Sequence, residues 1–278
     1  MSQIKYFFVA LLIVLSMVSA EVAMSIPLSN ADNLHNLSSY ATHSGPHAQP
    51  KETGGTDQIC IFCHTPHSAT PESPLWSRPD PNTMTFPLYN SASGLVISGE
   101  YPGSAGTEEI SEYKNDNSVI YPSGASRLCL SCHDGITAIG ILSDGRSIAM
   151  SGAQDYVTNG TTSPIIDLET SHPISFIYND TVKDAINSFR PGTTYQLPPN
   201  LTVPTPLDGD DKMQCTTCHD PHEDTRDEGT SYAGLPFWRH QGDTTSYEDV
   251  CNACHIGANP SFANPNPDGT DHTDPDLL

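Results

Sequence analysis

Cys-x-x-Cys-His occurs four times in this chain: CIFCH at 60–64, CLSCH at 129–133, CTTCH at 215–219 and CNACH at 251–255. The four motifs use all eight cysteines of the 278 residues. No other feature restricts the fold as much, because this spacing is that of c-type haem attachment. Two thiols add to the porphyrin vinyl groups, and the adjacent histidine becomes the proximal iron ligand. The spacing suits one short helical turn, which aims both sulfurs and the imidazole at a single haem. Histidine accounts for 12 of the 278 residues, so chance would place one after each of four such pairs only about four times in a million. Zinc ribbons or a disulfide set would use the cysteine pairs but have no use for the following histidine. The sequence therefore predicts four haem c groups (Fe). Cys60, Cys63, Cys129, Cys132, Cys215, Cys218, Cys251 and Cys254 are the covalent attachment points, and His64, His133, His219 and His255 the proximal ligands.

Two motifs extend into a longer pattern. CIFCHTPH at 60–67 is matched by CTTCHDPH at 215–222. Residues three apart on a helix lie about 5–6 Å apart on one face, whereas two axial ligands of one iron approach from opposite faces. His67 is thus poorly placed to complete the haem that His64 holds, and Pro66 turns Thr65 away from helix. The same holds for His219, Pro221 and His222. His67 and His222 are better placed to reach a neighbouring haem, which would lock adjacent haems into close contact. The alternative is a pair of surface histidines in turns.

Six-coordinate iron at all four sites needs four distal ligands. Besides His67 and His222, His172 is a candidate because Pro173 stiffens the Ser-His-Pro backbone. The stretch LHNLSSYATHSGPH offers three more, with His35 the first choice for the fourth position and His43 and His47 in reserve. His240 is a further reserve, although beside Trp238 it reads equally as a surface histidine. His272 falls in the acidic tail. Met84, Met150 and Met213 lack comparable motif context, so paired histidines are the expected ligation, with lower potentials than a His/Met pair would give.

The opening MSQIKYFFVALLIVLSMVSA has one lysine, an apolar run too short to span a bilayer and small residues at Ser19 and Ala20, as in a cleaved secretory signal. Export fits c-type haem, which is attached outside the cytoplasm, and predicts an extracellular or cell-surface protein, with the periplasm as alternative. Loss of Lys5 with residues 1–20 takes the net charge from −22 to −23, which disfavours nucleic acid and anionic membranes. No stable membrane insertion is expected. Asn36, Asn159, Asn179 and Asn200 fit the N-glycosylation pattern, mostly by coincidence in so Ser/Thr-rich a chain.

With 24 Pro and 20 Gly, sustained helical periodicity is scarce. The predicted fold is mostly irregular coil with a few short α-helices and little β, organised around four covalently bound haems. Each flat apolar haem would replace core that helices and sheets usually build. Helices are predicted over 126–135, 181–189 and 245–257; the first and last carry motifs and stop at glycines, and Thr245-x-x-Glu248 reads as a capping box. ITAIGIL at 136–142 fits helix or strand. Residues 71–126 and 150–172 read as loops and turns. The chain divides into a signal peptide (1–20), an N-terminal segment with distal or inter-subunit histidines (21–59), a first haem-pair region (60–145), a connecting region with His172 (146–210), a second haem-pair region (211–257) and an acidic tail (258–278).

ICIFCHTPH, SRLCLSCHDG, SHPISF and QCTTCHDPH resemble the doubled Cys-x-x-Cys-His family of exported multihaem cytochromes c. LHNLS resembles the start of such proteins, where its histidine is commonly a distal ligand. The resemblance covers most of residues 33–256. A secreted, loop-rich chain with four haems is similar to the tetrahaem subunits of OmcE-type extracellular cytochrome filaments (nanowires). That implies bis-His haems stacked through a homopolymer, with a histidine of one subunit able to complete a haem of the next; the N-terminal histidines are candidates for that role. The expected function is electron transfer without substrate chemistry, toward redox proteins or extracellular acceptors. A monomeric periplasmic or surface shuttle is the alternative. A multihaem reductase is the second, and would need an iron with an open position.

Overall fold

Punctuation by proline and glycine leaves room for only short elements. The structure, a computed structural model, describes residues 26–65, 75–81, 86, 95–96, 108–109, 122–151, 157, 168, 172–189, 194–198, 205–225, 237–239 and 247–256. Four helices occur among them: α1 (Gly124–His133), α2 (Asp180–Phe189), α3 (Cys215–Cys218) and α4 (Tyr247–Asn252). Short 3-10 turns cover Lys51–Thr53 and Cys60–Phe62. No helix among the described residues is long and apolar enough to cross a membrane.

Among the described residues eight strands, each two residues long, join in four separate pairs. β1 (Ile26–Pro27) lies antiparallel to β7 (Glu223–Asp224), β2 (His47–Ala48) to β5 (Met150–Ser151), and β6 (Thr194–Tyr195) to β8 (His255–Ile256). β3 (Leu95–Val96) and β4 (Glu108–Glu109) run parallel. These pairs act as staples between distant segments rather than as a sheet with a buried face.

α1 presents the second motif. Gly124 enters it at φ +59°, and a Cβ there would stand 2.8 Å from Nε2 of Gln214, so both conformation and space call for glycine. Its end is set by Asp134, whose Oδ1 accepts the N–H groups of Ile136 and Thr137, and by Gly135 at φ +78°. α2 begins where Asn179 Oδ1 accepts the Val182 N–H at 3.0 Å. Val182 and Ile186, one turn apart, bury against Phe176, Tyr178, Met213 and Cys254. Asn187 then holds β6 through both its amide groups, and β6 registers Tyr195 against His255. A plain amphipathic helix thereby positions the fourth motif.

Apolar burial is divided among small clusters, each touching a motif cysteine. Phe62, Leu37, Ile139, Leu142 and Ile148 pack with Cys63; Leu130, Leu168 and Ile174 with Cys215; Trp238 and Val250 with Cys218 and Cys251. Met213 belongs to the cluster of Cys254 and Met150 packs beside that of Phe62, so neither stands apart as a ligand. Gln214, fully buried, ties the second motif to the third. Its Oε1 accepts from Ser126 and Ser175, its Nε2 donates to Asp208, and Ser126 accepts the N–H of Cys215.

The structure differs from the sequence reading in three places. ITAIGIL forms turns, ending in a bridge between Ile141 and Ser147, because Gly140 leaves room only for the carbonyl of Ile148. α4 stops at Asn252, so Cys254 lies in a turn and His255 on β8 instead of on a helix reaching Gly257. Asn36 is buried, its amide donating to the Asn30 carbonyl, which removes it as a glycan acceptor.

Candidate haem sites

None of the eight cysteines forms a disulfide. Their surroundings place the motifs in chain order. Cys63 lies in the field of Cys132, Cys129 donates a hydrogen bond to Cys215, and Cys218 faces Cys251 and Cys254. The second and third motifs are joined as directly as the others. Burial pushes the Cys63 thiol up to about 12, with Cys132 adding to it, and the Cys254 thiol also to about 12. Donation to Cys215, then burial, raises Cys129; burial raises Cys132 and Cys218. The folded chain thus holds most of these sulfurs as neutral thiols.

Three motif histidines each face a histidine remote in sequence. His64 and His222 have ring centroids 6.4 Å apart and planes 7° from parallel. His35 and His133 are 6.0 Å apart at 64°, and His172 and His255 6.3 Å apart at 79°. A metal–imidazole bond of about 2 Å and a ring radius of about 1.2 Å put the centroids of two trans imidazoles roughly 6.3 Å apart. Each of the three pairs is spaced so that it could hold a metal between its rings. His67 and His240 lie outside the described residues, as do Met84 and His272.

The remaining ring nitrogens fit the same use. Nδ1 of His35 lies 2.9 Å from the Pro221 carbonyl and Nδ1 of His172 lies 3.0 Å from that of Pro173. A carbonyl only accepts, so each Nδ1 carries the proton and leaves the Nε2 lone pair for a metal. His222 has the Asp220 carboxylate 3.4 Å from Nδ1. Burial lowers His35 and, together with His35 itself, takes His133 to about 4, keeping both neutral at pH 7, the form that ligates. His43 directs Nε2 at the Asn36 carbonyl, so the nitrogen that a ligand would present is engaged; His47 directs Nδ1 at the Gly45 carbonyl. Those two rings are 5.9 Å apart at 87°.

The segment after the third motif organises two of these pairs. His219 leaves α3 in an extended conformation, φ −117° and ψ 140°, so His222 is carried away from its own motif toward His64. The same segment docks the N-terminal stretch: β7 pairs with β1, Asp224 accepts the Leu34 N–H, and Pro221 holds His35. Phe237 stacks on His35 at 4.0 Å, which fixes the ring opposite His133. His35 therefore stands against a motif histidine of its own chain.

Sequence reading missed two tryptophans. Trp76 bridges His64 and Trp238 bridges His219, with edge-on rings at 5.9 and 5.3 Å. Thr65 donates to Leu75 and Asp220 to Phe237, both at 2.7 Å, while Ser77 donates to Cys63 and Arg239 to Cys218. Leu75 and Phe237 both adopt positive φ, 72° and 62°. The eight-residue repeat is thus part of a larger one that includes a sharp reversal and a tryptophan. The sequence held a signal for it: the chain has two tryptophans, in PLW and PFW, each downstream of a Cys-x-x-Cys-His-x-Pro-His motif.

Eight unlinked thiols, four adjacent histidines and three facing imidazoles are residues that could hold haem of the c type. Compared with models of known families and with curated proteins, the sequence matches none.

Proposed function

We propose that this protein is an exported tetrahaem c-type cytochrome that carries electrons along closely spaced bis-histidine haems, as the subunit of an extracellular conductive filament. The observation that carries the haem reading is the pairing of His35 with His133, His64 with His222 and His172 with His255, each at 6.0–6.4 Å. Cys60/Cys63, Cys129/Cys132, Cys215/Cys218 and Cys251/Cys254 would hold the four groups. The repeat makes His67 the counterpart of His222. Since His222 faces His64, reciprocity assigns His67 to His219, and each extended motif would grip two irons.

Bound haem supplies a one-electron ferric/ferrous couple. The chain's own part is spacing, orientation and burial. Successive motif cysteines lie within each other's electrostatic reach, which supports close neighbouring haems. Backbone carbonyls of Pro221 and Pro173 fix two distal tautomers. Paired imidazoles at three sites would leave no open position on iron held there, which favours electron transfer over a reductase. The filament rests on the sequence resemblance and the export signal; a monomeric shuttle uses the same residues.

Intact mass and reduced-minus-oxidised spectra of the secreted protein test the haem reading: the mass should exceed the mature polypeptide by four haems, and sharp α and β bands should appear. A bare polypeptide mass would overturn it. Cryo-electron microscopy of the same material then decides between filament and monomer.

A further inference from the structure

Arg78 is completely buried, and among the described residues it has no carboxylate partner. One of its terminal nitrogens donates to the carbonyls of Ile139 and Ile141, the other to those of Ala138 and Ser131. Its Nε is buried without a partner. A guanidinium stays charged at any pH the protein meets, and burying it without a counter-ion is costly. The other arginines beside motifs differ. Arg127 pairs with Asp80 at 2.7 Å, and Arg239, partly exposed, lies 3.4 Å from Asp220. Among the described residues, the charge at Arg78 is the one left both unpaired and shielded from solvent.

Its position is specific. Arg78 donates to the carbonyl of Ser131, next to Cys132, and its neighbour Ser77 donates its N–H to the Cys63 carbonyl, so it stands between the first and second attachment points. At Cys132 its field outweighs that of Asp134. Oxidising a haem adds one positive charge, which a nearby fixed cation disfavours, more strongly where the medium is apolar.

We propose that Arg78 is a positioning residue of electrostatic kind, raising the reduction potentials of the haems attached at Cys63 and Cys132 above those of the other two. This rests on the haem reading, and would give the series of sites a built-in slope. The test is potentiometric titration of the haem-loaded protein and its Arg78→Met, Arg78→Gln and Arg78→Lys variants. In the two neutral variants, two of the four midpoints should fall, the reduced-to-oxidised ratio at fixed potential dropping about tenfold, or 59 mV for a one-electron couple. Arg78→Lys, which keeps the charge but loses the planar fork, should stay near the parent. Unchanged midpoints in Arg78→Gln, or an equal fall in Arg78→Lys, would overturn the proposal in favour of a purely structural arginine. So would neutral variants that fail to take up four haems while Arg78→Lys succeeds. Absence of haem from the parent protein would instead defeat the reading beneath it.

Discussion

The imidazole of His64 lies nearly parallel to that of His222, 7° from coplanar orientation at a centroid separation of 6.4 Å, although the two residues belong to different motifs. His172 and His255, at nearly the same separation, are turned 79° from each other. Axial ligand planes control the electronic symmetry of low-spin ferric haem. Parallel planes give a rhombic EPR spectrum, and planes near perpendicular give a highly anisotropic one with its largest g value at low field. The oxidised protein should show both types together. A spectrum of one uniform rhombic type would contradict the ring geometry.

Replacing His222 by alanine should open one iron of the four. His222 is exposed, so water or an added ligand would reach the vacated position. A high-spin fraction of about one quarter of the haem is expected, together with carbon monoxide binding by the reduced protein and one midpoint moved upward. His35→Ala should do the same at the His133 site. His43→Ala should leave the spectrum unchanged, because its Nε2 is committed to the Asn36 carbonyl. A spectral change in His43→Ala without one in His35→Ala would exchange their roles.

The Cys-x-x-Cys-His motifs were legible because each is complete within five residues. α2 was legible too, since Asn179 and the Val182/Ile186 stripe are local signals. Which histidines meet was not, because each pairing depends on segments far apart in sequence. Short staples such as β1 with β7 create those encounters, and two-residue strands leave no periodicity to read. His35 is one of three neighbouring candidates; what distinguishes it, the Pro221 carbonyl and the Phe237 ring, lies 186 and 202 residues further along the chain. ITAIGIL was ambiguous because its apolar run suits either regular element, and the contact that decides against both is with Ile148.

The repeat predicts unequal costs at its two tryptophans. Trp238 is buried against Val250, Cys218 and Cys251. Trp238→Ala should cost about 3–5 kcal/mol, in the range for large core truncations. Trp76 is half-buried and its indole N–H donates to Ser131, so Trp76→Ala should cost less. Denaturant midpoints of the loaded protein at constant slope measure both. Equal losses would mean that haem contacts, rather than polypeptide packing, dominate at these positions.

Gln214 offers a polar counterpart. Leucine in its place has similar bulk but strands the hydroxyl and N–H of Ser126 and removes a donor from Asp208. Each buried group left without a partner costs about 1–3 kcal/mol, so Gln214→Leu should lose roughly 3 kcal/mol or more. Gln214→Ala should be no milder. A loss under about 1 kcal/mol would show that water or a relaxed backbone replaces the amide.

The division of apolar burial into clusters built on motif cysteines leads to a last expectation. A chain of this length normally gathers one continuous core, and here Cys63, Cys215, Cys218, Cys251 and Cys254 sit inside or against four separate ones. Without haem these clusters bury too little to offset the ordering of so many loop residues. The haem-free polypeptide should therefore be protease-sensitive and poorly helical by circular dichroism, and thiols that the fold would bury should react freely with alkylating reagents. Attachment must then precede folding. Single-site losses should also be ranked by position in the series. The third motif touches both the second, through Cys129 and Ser126, and the fourth, through Cys251 and Cys254. Cys215→Ala with Cys218→Ala should thus expose more of the chain to proteolysis than Cys60→Ala with Cys63→Ala, whose described thiol contacts reach only the second motif. Peptide mapping of brief digests would read the difference; equal damage from both would mean that the motifs fold as independent units, against the serial contacts of their cysteines.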